Sequence, residues 1–406
     1  MRIGYLPGVF DLFHIGHRNI IDRALQHCDS LVIGIHTDQF VAEYKRRPVQ
    51  TQTERLEILR SAYGFVYYEI VGSSHKEIIN KYGVTHVFHG SDWELESYKR
   101  QIRYYEDNLT VEIVILPYTD SISTTQILKY ASLYRDITTI FFDLDKTLLL
   151  NGEATNGAVE CIRYIQSKSH LNLNVITNNN KYTPHEISES LRKANIQIST
   201  DQILSPLVQI RDYLKENNIK KAFVWGTDNA KQYLHNFCSD ANDAEMIVVL
   251  YNDKFTYAEL CEMLTHIRTK PYIISNIDLT YPDKIVVLPD TGITQYIIEK
   301  TTGKIPERIF GKPYDGICNI HHCTFKTSTS SEAIRVLSDN GNSCSALDEG
   351  SLRLEKCEGV KESCLMVGDS LITDGKLAEN LGIPFFHVSG VQDLQMLHII
   401  LQTIHK

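Results

Sequence analysis

Two histidines three positions apart, His14 and His17, follow the turn Gly8-Val9-Phe10-Asp11 and open an apolar-periodic stretch carrying Ile20, Ile21 and Leu25. A helix entered through such a turn presents free backbone N–H groups and the positive end of its dipole, and glycine lets the chain approach an anion closely. Imidazoles on its first turn can hydrogen-bond phosphate oxygens and stabilise the charge that builds as a nucleotidyl phosphorus becomes pentavalent. The same spacing also fits capping or surface histidines, or half of a zinc site. Further along, Asp143 and Asp145 end an apolar run. Period two puts both carboxylates on one side of a strand's exit, where they need a cation or a proton to coexist. Thr177 and Asn178 end another apolar run, Lys312 offers a cation in a Gly-Lys-Pro loop, and Asp369 and Asp374 follow a third run. These four segments supply one coherent site.

The elements that must position these groups are short apolar runs (30–35, 84–89, 111–116) separated by amphipathic stretches such as 54–63. Strands alternating with helices point to a parallel α/β sheet. The alternation restarts at 138 and continues through 173–177, 221–225, 246–250 and 364–368, so two successive α/β units are expected, with a seam at 132–137 after a helix that begins around Thr124. In a doubly wound sheet the strand ends are where ligands bind. A chain of 406 residues, 43% apolar and 22% charged, is an ordinary globular protein with ample core, not a disordered or fibrous one. Fifty acids against 41 basic residues give a net charge of -9, which argues against a nucleic-acid-coating surface. Nine cysteines without the spacing of a secreted scaffold read as reduced thiols. No apolar run is long enough to span a membrane, and the N-terminus lacks the pattern of a signal peptide, so a cytoplasmic location is expected.

Three further features join the histidine pair: Gly-Ser-Asp-Trp at 90–93, Ile-Ser-Thr-Thr at 122–125, and the cations of Lys45-Arg46-Arg47 with Arg55. With them, residues 1–133 resemble the cytidylyltransferase family, particularly glycerol-3-phosphate cytidylyltransferase. The resemblance implies a Rossmann-like domain with CTP over the helix turn at Gly8, Val9 and Phe10, His14 and His17 on its phosphates, and Ser123 and Thr124 closing on them. Lys45 and Arg55 would neutralise the triphosphate or hold the incoming phosphomonoester, and Asp92 and Trp93 would sit beside nucleotide or acceptor. Asp11 matches a family position whose role is as much ordering the loop as touching substrate. Two departures stand out: Val9 replaces a threonine, and Tyr118-Thr119-Asp120-Ser121 replaces Arg-Thr-Glu-Gly. The lost arginine removes a phosphate clamp. Neighbouring cations, a weaker nucleotide grip or a different acceptor would each account for it. We adopt the last, a polyol or sugar-alcohol phosphate other than glycerol 3-phosphate.

The four acid-bearing segments resemble the motifs of the haloacid dehalogenase superfamily, over residues 137–406. Carried over by position, Asp143 is the nucleophile that forms an aspartyl phosphate and Asp145 the general acid and base. Thr177, with Asn178 beside it, would bind the phosphoryl group and Lys312 would screen its charge. Mg²⁺ would be held by Asp143, the Asp145 carbonyl and Asp369, with Asp374 helping. Roughly 130 residues between Asn178 and Lys312 exceed an α/β repeat, which predicts an inserted α/β cap like that of the nitrophenyl-phosphatase and phosphoglycolate-phosphatase branch. The expected domains are 1–133, a core of 137–204 with 290–406, and a cap of 205–289. Cys318, His321, His322, Cys323, Cys344 and Cys357 lack paired Cys-x-x-Cys knuckles, so a polar surface insertion is expected there rather than zinc.

The reading is a bifunctional enzyme: a CTP-dependent transferase making a CDP-polyol and pyrophosphate, fused to a Mg²⁺-dependent phosphatase, in surface-polysaccharide precursor synthesis. The expected partners are CTP, the polyol phosphate and a small phosphomonoester, with no nucleic acid and no membrane, and a homodimer is left open. The alternatives are a regulatory or single-activity protein in which one domain only binds ligand, and a transferase that uses ATP.

Overall fold

The computed structural model describes residues 1–91, 94–105, 107, 109–117, 123–282, 287–314, 363–390 and 393–405. The expectations for Asp92, Trp93, the 118–121 departure and the cysteine-rich insertion therefore lie outside the described residues. The chain divides into two compact units, 1–135 with 394–406, and 136–393.

In the first unit, β1 (Ile3–Gly8), β2 (Ser30–His36), β3 (Tyr67–Val71), β4 (His86–Gly90) and β5 (Glu112–Leu116) form a parallel sheet in the order β3-β2-β1-β4-β5. Alternate residues feed opposite cores. Tyr5, Val32 and Val87 pack with Ile78, Ile79 and Tyr98, whereas Leu6, Ile33 and Phe88 pack with Ile21, Ala24 and Leu59. Because the strand order reverses between β1 and β4, their C-terminal ends bound a crevice where a ligand can lie. The helix Ile15–Gln26 starts at that crevice.

The second unit contributes, in chain order, β6 (Thr139–Phe142), a ribbon of β7 (Leu149–Leu150) and β8 (Glu153–Ala154), β9 (Asn172–Ile176), β10 (Ile203–Leu204), β11 (Ala222–Trp225), β12 (Met246–Val249), β13 (Tyr272–Ile274), a ribbon of β14 (Thr280–Pro282) and β15 (Val287–Pro289), β16 (Arg308–Ile309), β17 (Cys364–Gly368) and β18 (Phe385–His387). The core sheet runs β10-β9-β6-β17-β18, parallel throughout, with its reversal between β6 and β17. Inserted between β10 and β17 is a second parallel sheet, β11-β12-β13-β16.

Two expected boundaries need correcting. The inserted layer does not end at 289, because β16 pairs with β13 through Ile273 with Arg308 and Ile274 with Ile309, adding a fourth strand. The final helix, Asp393–Ile404, is counted with the first unit rather than with the 290–406 core, and it buries Leu394, Leu397, Ile400 and Leu401. No helix among the described residues is long and apolar enough to cross a membrane.

Candidate active sites

In the first unit a cleft of about 740 Å³ opens at the ends of β1 and β4, lined by Gly8, Val9, Phe10, Asp11, His14, His17, Lys45, Ser123 and Thr124 among others. The entry loop is unusual, since Phe10 and Leu12 both hold left-handed φ values, 56° and 49°. Buried Asp11 braces this turn by accepting hydrogen bonds from the backbone N–H of Val49 (3.0 Å) and Gln50 (3.0 Å) and from Arg46 Nη2 (3.2 Å). Its carboxylate thus orders the loop that borders the cleft. Thr124 donates to the Asp11 carbonyl (3.0 Å), and Ser123 caps the helix Thr124–Leu133 through the Gln126 N–H (3.2 Å).

His14 is the N-cap of the helix Ile15–Gln26. Its Nδ1 accepts the Gly16 N–H (3.1 Å), and His17 Nδ1 faces the His14 N–H (3.4 Å). A backbone N–H only donates, so each Nδ1 is a lone-pair acceptor and each neutral ring carries its proton on Nε2. The two rings stack at 3.9 Å, with Phe13 stacked beyond His17 at 5.9 Å. The capping and phosphate-binding alternatives left open by sequence are thereby one geometry: capping through Nδ1 fixes Nε2–H as the donor. The zinc alternative gains no support, because the one group of metal-competent side chains among the described residues lies elsewhere.

Burial lowers His14 to about 4 against a smaller opposing pull from Asp11, and lowers His17 well below the ordinary value, reinforced by His14 and Lys45. Both rings are neutral at physiological pH. A base whose folded pKa is depressed favours the unfolded chain once protons become available, so stability falls as pH drops below about 6.5, by up to ~1.4 kcal/mol per pH unit for each such histidine. Proton NMR of the imidazole rings is expected to show no titration of His14 between pH 8 and 5. A midpoint near the ordinary value would contradict this environment.

Arg55 corrects the sequence reading. It is fully buried and away from the cleft wall, donating to the carbonyls of Val9, His36 (2.8 Å) and Gln50 (3.2 Å) and pairing with Asp38 (2.6 Å). It secures the loop that carries the site, and four of its five N–H donors are spent on that loop and its neighbours. Replacing Arg55 with Ala leaves these acceptors without their donor and is expected to cost about 3 kcal/mol or more, read as a lower denaturant midpoint. A loss under about 1 kcal/mol would contradict the bracing role. Arg46 and His89 also line the cleft, and sequence reasoning did not single them out. Arg46 was visible in the basic run 45–47.

In the second unit, Asp143 follows β6 and its N–H donates to the Val367 carbonyl (2.8 Å), which registers the loop against β17. Lys312 is buried, and its ammonium bonds at once to Asp143 and to Asp374 Oδ1 (2.6 Å). Asp374 sits on a π-helical turn, Leu371–Gly375, accepting the Ser370 N–H (3.1 Å). A Cβ at Gly368 would lie 2.2 Å from its Oδ2, so only glycine lets this carboxylate in. Thr177 accepts the Asn179 N–H on its Oγ1 (3.0 Å), which leaves its hydroxyl proton available as a donor. Asp145 is exposed.

Asn178 corrects a second expectation. Its Oδ1 accepts the Lys312 N–H (2.6 Å), and its Nδ2 donates to the Lys312 carbonyl (2.9 Å) and to Asp278 (2.8 Å), so it clamps the lysine main chain instead of reaching substrate. Gly311, at φ 75°, makes this possible, since a Cβ there would approach Asn178 Oδ1 to 2.7 Å.

Burial raises Asp143 against the pull of Lys312, and Asp374 adds to the rise. Desolvation by the surrounding wall raises Asp145 too, countered by Lys312 and an Asn179 hydrogen bond. Oxygens of Asp143, Asp369 and Asp374 lie within 4.8 Å of one another. Three carboxylates facing one ammonium keep an excess of negative charge, and an all-oxygen donor set of this kind fits Mg²⁺.

A nucleotide-sized cleft at one sheet's reversal and an acid-lysine cluster at another's define an enzyme acting on phosphate groups. Comparison with known proteins gives the families: residues 5–130 match the cytidylyltransferase-like model and residues 140–237 the haloacid dehalogenase-like hydrolase model. The chain thus joins a cytidylyltransferase-like domain to a haloacid dehalogenase-like hydrolase domain. An acid sugar phosphatase of Staphylococcus epidermidis is 27% identical over 266 residues, covering 63% of this chain and 90% of that protein. Among solved structures, a 4-nitrophenylphosphatase from Thermotoga maritima aligns with TM-score 0.51 at 23% identity over 62% of this chain and 86% of its own. A p-nitrophenyl phosphatase from Archaeoglobus fulgidus aligns with TM-score 0.52 at 18% identity over 67% and 94%.

Proposed function

We propose that the first unit transfers a cytidylyl group from CTP to a polyol or sugar-alcohol phosphate, releasing pyrophosphate, and that the second unit hydrolyses a small phosphomonoester. What supports this most is that the first unit's sheet and the second unit's core sheet each end, at the point of strand-order reversal, in a cluster suited to phosphate: paired Nε2–H donors in the first and the Lys312-centred acids in the second.

In the transferase, an acceptor phosphate oxygen attacks the α-phosphorus, and the bond to the β-phosphate oxygen breaks. His14 and His17 donate from Nε2 to the phosphate oxygens as charge accumulates, and Lys45 and Arg46 offset the charge of the triphosphate and acceptor. Gly8, Val9, Phe10, Ser123 and Thr124 line the cleft in which the nucleotide would rest.

In the phosphatase, an Asp143 oxygen attacks phosphorus while Asp145 gives a proton to the departing alcohol oxygen. Asp145 then takes a proton from a water that attacks the aspartyl phosphate, breaking its bond to Asp143 and freeing phosphate. Thr177 donates to a phosphoryl oxygen, and Lys312 holds Asp143 in line and screens charge. Asp143, Asp369 and Asp374, with the Asp145 carbonyl, would hold Mg²⁺, which when bound neutralises the phosphoryl oxygens and lets anionic nucleophile and substrate meet. The phosphatase substrate differs from the transferase acceptor, since a shared one would be destroyed before transfer. We infer a role in supplying activated polyols for surface polysaccharide.

Chelation by EDTA is expected to abolish phosphomonoester hydrolysis, and added Mg²⁺ to restore it. Full hydrolysis in EDTA would contradict the assignment of the acid cluster. Pyrophosphate release from CTP across a panel of polyol phosphates tests the transferase half, and no release with any of them would remove it.

A further inference from the structure

A cavity of about 520 Å³ in the second unit is lined by none of Asp143, Asp145, Thr177, Lys312, Asp369 or Asp374. It draws its lining from the core sheet and from the inserted layer: Ile203 and Leu204 of β10, Gln209 and Tyr213 of the helix Pro206–Glu216, and Arg308 of β16 with Phe310. The chain leaves the core sheet after Leu204 and comes back after Ile309, so the cavity is lined at both crossings. Each crossing is bonded to the main chain of the phosphatase site. The Leu204 carbonyl accepts the Thr177 N–H (3.0 Å), and Gln209 Oε1 accepts the N–H of Gly311 (3.1 Å), the residue before Lys312.

The cavity also holds donors with nothing to donate to. Because Gln209 Oε1 faces an N–H, the other end of the amide is Nε2, and it is buried without a hydrogen-bond partner among the described residues. Arg308 has no hydrogen-bond or ion-pair partner among them either, and its guanidinium lies 5.5 Å from the Tyr213 ring centre and 5.4 Å from that of Phe310. Arg211, by contrast, is spent on Asp212 (2.8 Å) and the Tyr233 hydroxyl (2.7 Å). Buried polar groups are nearly always satisfied, and an amide nitrogen and a guanidinium only donate. The missing partner therefore supplies acceptor oxygens, and a planar guanidinium favours an oxyanion. Tyr213, Tyr233 and Phe310 suit a flat ring beside it. Two further carboxylates of the lining, Asp201 and Glu216, are exposed and can accept from hydroxyl or amino groups. An oxyanion, an aromatic ring and sugar hydroxyls together describe a nucleotide, and the volume is within the range of small-molecule sites.

We propose that this cavity is an effector site for a nucleotide, its phosphate on Arg308 and its base against the aromatic rings, and that occupancy slows the phosphatase. The inference rests on the phosphatase reading above. A ligand bonded at both crossings stiffens the core sheet against the inserted layer, and with them the main chain beside Thr177 and Lys312. Turnover falls, while substrate affinity is kept.

Hydrolysis of 4-nitrophenyl phosphate by the full chain, at fixed free Mg²⁺ and with CDP, ADP, pyrophosphate or cytidine added, tests it. A nucleoside diphosphate is expected to lower kcat at least about fivefold with KM within about twofold, and pyrophosphate and cytidine to leave kcat unchanged. In Arg308→Gln the nucleotide concentration for half of this effect is expected to rise at least about tenfold, judged against the variant's own rate without nucleotide. Equilibrium dialysis with ADP is expected to show one bound equivalent in the wild type that R308Q loses. A rise in KM alone would mean competition at Asp143. That outcome, an equal effect of pyrophosphate, an unshifted R308Q or a kcat insensitive to every nucleotide would each overturn the effector site and leave the phosphatase standing. Absence of hydrolysis without nucleotide would instead remove the phosphatase reading, and the regulation with it.

Discussion

Changing Asp143 to Asn is expected to lower phosphomonoester hydrolysis at least about 10³-fold while the chain remains folded. The amide keeps the size of the carboxylate and can still accept from Lys312, but it cannot form the aspartyl phosphate. Structure gives a reason to expect retained folding. Asp143 and Asp374 share one buried ammonium, so the amide removes one of two competing negative charges and leaves Lys312 paired to Asp374 at 2.6 Å. Asp374→Asn, by contrast, keeps the nucleophile and removes the carboxylate that enters the space beside Gly368. Hydrolysis of 4-nitrophenyl phosphate with Mg²⁺ measures the loss in D143N. Activity within tenfold of wild type would mean that another group attacks phosphorus.

The second large effect is expected from His14→Asn. Asparagine is a strong helix N-cap, so its side-chain oxygen can take over the Gly16 N–H that His14 Nδ1 now accepts at 3.1 Å. What disappears is the Nε2–H that would face the phosphates. Loss of one such donor typically costs about 10² to 10³ in kcat, and the cap is worth only about 1 kcal/mol, so turnover should collapse while the unfolding midpoint barely moves. Equal losses in stability and turnover would indicate that His14 serves only the helix.

Much of the scaffold was legible because burial imposes short periods on the chain. The apolar runs at 30–35 and 364–368 lie within β2 and β17, the run 111–116 matches β5 but for Val111, and the expected helix start near Thr124 is the first residue of the helix Thr124–Leu133. The Gly8-to-His17 turn could be placed because a helix start behind a strand has one geometry. Roles of individual polar side chains were harder to read, since an arginine looks the same in sequence whether it binds ligand or braces a loop. Arg55 and Leu59, one helical turn apart and both fully buried, carried a signal that the arginine faces inward. Asn178 gave no comparable sign, because its partner Lys312 is 134 positions away and meets it only through the fold. The end of the inserted layer was missed because β16 is two residues long, too short for any periodicity to show.

The central claim is that one chain holds two independent phosphate chemistries, each at its own sheet. It is tested most directly by following pyrophosphate and inorganic phosphate side by side in the full chain, supplied with CTP, Mg²⁺, polyol phosphates and a separate phosphomonoester. The account predicts that wild type releases both, H14N loses only pyrophosphate release, and D143N loses only phosphate release. A D143N chain that no longer makes pyrophosphate, or an H14N chain that no longer hydrolyses the monoester, would contradict it.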